Sequence, residues 1–307
     1  MIKALVASFL AAAAAPTLAQ SPPPPALDLS RAAALRDAAL QDEVAWDITE
    51  DLTTEVGQRL AGTEAEARAR AWAVKRLTAM GFANVRVETF SLPVWERGAE
   101  SATLLSPFPQ RLMLNALGNS ASTPPGGIEA DVIGFSSVDA LRAAPAEQVR
   151  GKIVYITHAM PRTMDGSGYG VFGAPRRQAP TVASQKGAAA LVIRSIGTDW
   201  HRNPHTGVMN FAEDASTIPA AALSNPDADQ LERILQRTSG PVRMKLVLES
   251  RRYQGQSGNV IAEVPGRNPN AAPVLVSCHL DSWDQGTGAF DDAAGCGIVA
   301  AAAKRIM

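Results

Sequence analysis

The chain has 307 residues, enough for about two domains, and its 29 Lys+Arg nearly cancel its 30 Asp+Glu for a net charge of -1. That balance argues against a nucleic-acid binder, which carries a basic excess or stripe. With 46% hydrophobic and 19% charged residues, global disorder is excluded. Two cysteines are too few for a disulfide scaffold or a Cys-rich zinc module.

The opening MIKALVASFLAAAAAPTLAQ has a positive n-region at Lys3, a short apolar run and small residues before Ala19. This is the form of a secretory signal peptide over 1–19, cleaved after Ala19, so a secreted or periplasmic protein is expected. Pro22 to Pro25 mark an extended leader over 20–28. No later run has 18 consecutive apolar residues, so no membrane span is expected after signal removal.

From Leu40 an apolar residue recurs every fourth position through Val44, Ile48, Leu52, Val56 and Leu60, which predicts one helix face. Thr63 followed by Glu66 is a capping box that starts a second helix, stopped at Gly81. Residues 84–90 alternate as a strand. Prolines and glycines loosen the pattern around 100–130, as at a domain boundary. Strands follow at 128–135, 152–157, 190–195, 218–224 and 244–250. Helices are expected at 179–189 and from Asn225-Pro226, the proline suiting a first turn.

After Arg252 a strand runs into a turn at 257–266. Val274 to Val276 form a continuous apolar run, read as a strand buried on both faces of a parallel sheet. A glycine-rich loop follows, then a helix from about Asp292 whose end, IVAAAAKRIM, reads as a helix still in progress. The fold class is therefore α/β.

The chemistry is concentrated in HLDSWDQGTGAFDDAAG, residues 279–295. His279 offers an imidazole to a metal, and Asp281, two residues on, would orient its ring from the second nitrogen. Gly286, Gly288 and Gly295 let the loop return Asp291 towards His279, where a carboxylate would bridge two cations. Plainer readings stand beside these: a hydrogen-bonded structural histidine, and Asp291-Asp292 as a helix cap. His205 is read either as a cover for the substrate cleft or, preferably, as a loop stabiliser. His158 and His201 are read as surface or structural. Cys278 and Cys296 are expected as two buried thiols in preference to a disulfide, and Trp283 and Phe290 as residues packed under the loop in preference to lining a pocket.

This segment resembles the first metal motif of the two-zinc exopeptidases, and its wording resembles their carboxypeptidase Q-like branch. So do GQRLAGTEAEARARAWAVKRLTAMGF (57–82) and VWERG (94–98). GKIVYI, GAAALVIRSIG, NPHTGVM and IPAAALS resemble the protease-associated domain inserted in those enzymes. The resemblance implies a mixed sheet sandwiched by helices, with 20–110 and 251–307 forming the peptidase domain and 111–250 the insert. It implies two Zn2+ per intact site, His279 on one, Asp291 bridging both, Asp281 supporting His279 and a cis peptide between Asp291 and Asp292. It implies hydrolysis of short peptides by metal-activated water, in a family that includes homodimers. The family's remaining ligands and glutamate base fall beyond Met307, so the expectation is a C-terminally truncated peptidase domain, inactive by itself. The alternative is a non-catalytic, receptor-like binding protein of the same architecture.

Overall fold

The computed structural model of the chain describes residues 29–307. The expected signal segment and the leader, 1–28, lie outside the described residues. In chain order the elements are α1 Ser30–Ala39, α2 Val44–Asp51, a π-helical turn Leu52–Val56, α3 Glu64–Ala79, β1 Ala83–Ser106, β2 Gln110–Leu112, β3 Leu114–Ala116 and β4 Ile128–Phe135. They continue with α4 Val138–Ala143, α5 Ala146–Val149, β5 Ile153–Ile156, α6 Tyr169–Phe172, α7 Ala174–Arg177, α8 Ala179–Gln185, β6 Ala190–Arg194, β7 Ala220–Leu223, α9 Asn225–Arg237 and β8 Arg243–Glu263. A second π-helical turn, Ala289–Ala293, leads into α10 Ala294–Ile306. Among the described residues no helix is long and apolar enough to cross a membrane.

The apolar period from Leu40 to Leu60 does not make one helix. Asp42 Oδ1 accepts the Val44 N–H at 3.2 Å and starts a new helix there, while Gly57 at φ +75° ends the π turn. A four-residue spacing is satisfied by any set of turns that share a side. A carboxylate competing for a backbone donor and a glycine in left-handed backbone therefore decide where helix stops. α3 begins as expected: Thr63 Oγ1 accepts the Glu66 N–H, and the Glu66 carboxylate reaches back to Gly62 N–H. Gly81, at φ +88°, closes it.

The sheet has eight strands in the order β2-β1-β8-β4-β5-β6-β7-β3. β4, β5, β6 and β7 run parallel. β3 joins β7, and β8 joins β4, antiparallel. β1 and β8 pair antiparallel from Ala83↔Glu263 to Ser106↔Arg243, a long two-stranded ribbon that carries the chain from α3 into the sheet and back to the 279–292 segment. The residues of β5, β6 and β7 are all buried, as parallel strands covered on both faces must be. Tyr155, Val192, Leu231, Ile234, Met244 and Leu246 pack on one face, under α9. Val154, Ile156, Leu191, Ile193, Leu141 and Val182 pack on the other, under α4 and α8.

The run at Val274 to Val276 behaves differently from its expectation. Residues 264–288 contain neither strand nor helix, and Val274, Leu275 and Val276 are 89%, 88% and 62% exposed. An extended segment becomes a strand only against a neighbour that takes up its backbone groups, and no described strand lies beside this one. α10 packs against α2. Gly297 makes this possible, since a Cβ there would stand 2.4 Å from the Ala45 carbonyl oxygen.

Candidate metal centre

A small apolar cluster of Leu52, Ala69 and Ala293, with Val56, Trp72 and Leu280 against it, seats the glycine-rich segment on the first helices. Over that seat the His279 and Asp291 side chains converge. His279 Nε2 lies 2.8 Å from Asp291 Oδ1. His279 Nδ1 faces Asp281, 3.1 Å from its carbonyl oxygen and 3.4 Å from its carboxylate. The His279 backbone N–H donates to Asp292 Oδ2 at 3.1 Å. The peptide bond between Asp291 and Asp292 is cis. Gly295 leaves the room Asp292 needs, since a Cβ at 295 would sit 2.0 Å from its Oδ1.

Burial alone would lower the basicity of His279. The hydrogen bond to Asp291 and the charges of Asp281 and Asp292 outweigh it, so the imidazole titrates above the ordinary histidine value. The imidazole nitrogen and the carboxylate oxygen bond to each other here, and both are donor types that zinc takes. With His279 53% and Asp291 73% exposed, water can reach the pair.

Cys278 and Cys296 are joined in a disulfide, correcting the expectation of two thiols. Alternation along a strand would have turned Cys278 away. Because the segment is not a strand, Cys278 meets Cys296 on α10 with their Cα atoms 5.1 Å apart. Their sulfurs and the Asp292 carboxylate lie close together, yet sulfurs bonded to each other are not thiolate ligands. Trp283 and Phe290, expected under the loop, are both exposed on it. His205 is not brought to this centre. Its Nε2 lies 2.8 Å from the Tyr169 hydroxyl, and its backbone N–H donates to Ser195 Oγ at 2.7 Å.

Two arginines that shape the segment carry no periodic signal in the sequence. Arg59 is fully buried and sits between two glycines at positive φ, Gly57 and Gly62, the one local hint of its role. Arg97 on β1 pairs with Asp284.

Residues 259–307 match the model of peptidase family M28. A crystal structure of a peptidase M28 precursor from Shewanella amazonensis is similar at TM-score 0.83 and 45% identity, over 90% of this chain and 62% of that one. Carboxypeptidase Q of Mus musculus is 36% identical over 248 residues, 80% of this chain and 51% of its own length. The chain is similar to carboxypeptidase Q and, over its last 49 residues, to peptidase family M28.

Carboxypeptidase Q of Homo sapiens is 35% identical over 253 residues, again 80% of this chain and 51% of the other. The chain thus spans about half the length of the curated relatives it matches. A zinc aminopeptidase from Bacillus subtilis, at 20% identity and TM-score 0.61, covers 86% of this chain and 57% of its own and shares the fold.

Proposed function

We propose that this chain is a carboxypeptidase Q-like member of family M28 and serves a zinc-dependent exopeptidase acting on short peptides, with His279 and Asp291 as metal ligands. The observation that carries the reading is the 2.8 Å contact between His279 Nε2 and Asp291 Oδ1, both of them exposed. When bound there, zinc polarises a peptide carbonyl and lowers the pKa of the attacking water. The chain's own residues prepare the place. Asp281 faces Nδ1 of His279 and fixes which ring nitrogen is left to the metal. Asp292 holds the backbone of His279 through its N–H. Asp291 would hold zinc through its exposed carboxylate, and a second ion would share it. Phe290, 93% exposed beside it, offers an apolar surface to a substrate side chain.

The same reading divides the chain into a peptidase part, 20–110 and 251–307, and an insert, 111–250, with the β1–β8 ribbon as the joint. It includes export, supported by the composition of residues 1–19, and a homodimer, supported by resemblance alone. Zinc titration of the chain and of its Asp291→Ala variant, with peptide hydrolysis followed in parallel, tests it. The expected result is zinc binding weakened at least about tenfold by the substitution. Equal zinc content in both proteins would remove Asp291 from the metal site.

A further inference from the structure

We infer that Arg59 is the positioning residue of the metal centre: its guanidinium spans the gap between the two ligand-bearing ends of the 279–291 segment and holds them in register. The inference rests on the zinc reading of His279 and Asp291. Arg59 Nε donates to the Leu280 carbonyl at 2.6 Å, the peptide oxygen one residue after His279. Nη2 donates to the Gly288 carbonyl at 3.1 Å and Nη1 to the Thr287 carbonyl, three and four residues before Asp291. Nη1 also reaches Gly57 O at 2.9 Å, closing the group onto its own turn. The main chain completes the grip, with Arg59 N–H on Ser282 Oγ at 3.1 Å and Ser282 N–H on Arg59 O at 3.1 Å.

Three features make this more than a packed arginine. The side chain is fully buried, and its guanidinium donates to four carbonyl oxygens, with the Asp281 charge acting on it only from a distance. A buried cation with no counter-ion in contact is costly. It persists where its planar fork meets several fixed acceptors at once, a geometry a lysine ammonium cannot reproduce. The segment it binds has neither strand ladder nor helix between 264 and 288 to define its path. Finally, Gly288 admits the guanidinium: a Cβ at 288 would lie 3.1 Å from Nη2 and 2.4 Å from Ser282 Cβ. The two ends that carry His279 and Asp291 are therefore aligned through one side chain from a helix-connecting turn more than 200 positions earlier.

The test compares the full chain with Arg59→Lys and Arg59→Ala, reading amide hydrogen exchange by peptide and zinc affinity by chelator competition. In Arg59→Lys, exchange over 280–291 should rise about tenfold or more, with β5 and β6 unchanged, and zinc should bind about 10- to 100-fold more weakly. Methylguanidinium should restore zinc affinity to Arg59→Ala, and ammonium should not. Protection and zinc affinity within about twofold of the unaltered chain in both variants would overturn the inference. So would uniform loss of protection or failure of both variants to fold, which would make Arg59 a general support of the fold. If the unaltered chain binds no zinc while Arg59→Lys still loosens 280–291 alone, the zinc reading fails and the positioning of the segment stands.

Discussion

Arg97 and Asp284, 187 positions apart, meet in a two-bonded ion pair, with Nε–Oδ2 at 2.7 Å and Nη2–Oδ1 at 3.3 Å. Burial disfavours the Arg97 charge, and Asp284 with Glu100 more than compensates, so its pKa stands above the ordinary arginine value. Glu100 in turn accepts the Ala116 N–H at 2.8 Å and the Asn115 amide at 2.9 Å. One network thus couples the β1–β8 ribbon, β3 and the centre of the metal segment. Both partners are mostly buried, so removing one leaves the other poorly satisfied. Asp284→Ala should cost about 1–3 kcal/mol in urea unfolding. A double-mutant cycle with Arg97→Ala should return a coupling of at least about 0.5 kcal/mol. Strict additivity would show the pair to be independent.

Two apolar residues of similar size should respond in opposite ways. Ile193 is fully buried between β5 and β7, and Ile193→Ala should cost about 2–5 kcal/mol. Leu275 is 88% exposed, and Leu275→Ala should change stability by no more than about 0.5 kcal/mol. Chemical denaturation of the two variants beside the unaltered chain measures both. A large loss at Leu275 would place it in a packed core.

The Cys278–Cys296 disulfide encloses residues 279–295 with a separation of 18 residues. Cross-linking a loop of that size restricts the unfolded chain and is worth roughly 2–4 kcal/mol. Thiol titration under denaturing conditions should find no free cysteine before reduction and two after it. Urea unfolding with reductant should show the corresponding loss of stability.

The raised pKa of His279 sets a direction for pH effects. Zinc needs the neutral imidazole, so zinc affinity should fall as pH drops, with a midpoint above the ordinary histidine value of about 6.5. In the metal-free chain the sign for stability is opposite. The folded state holds the proton more tightly than the unfolded one, so this contribution is fully present below about 6.5 and is lost as pH rises through the folded pKa. Asp281→Asn removes one of the charges that raise the value, so the zinc midpoint should move down. Zinc titrations between about pH 5 and 8 measure the shift; an unmoved midpoint would show that Asp281 does not act on the ring.

The elements legible in the sequence are those whose instructions are local. The Thr63–Glu66 cap, the Gly81 stop and the strand at 128–135 each rest on a few neighbouring residues, and each is found in place. His279, Asp281 and Asp291 stood out for a related reason: one short glycine-rich segment carries all three, so a single turn brings them together.

Pairing across long distances is what only the tertiary structure decided. Ile153 to Ile156 and Val274 to Val276 are both short apolar runs. The first is a buried strand because β4 and β6 lie against it, and the second lies exposed without a neighbour. The long β1–β8 ribbon, the disulfide and the grip of Arg59 on carbonyls from residue 280 onward belong to the same class. Their energy comes from partners that no sequence window contains, so composition and spacing name the chemistry of the site while the packing around it sets its geometry.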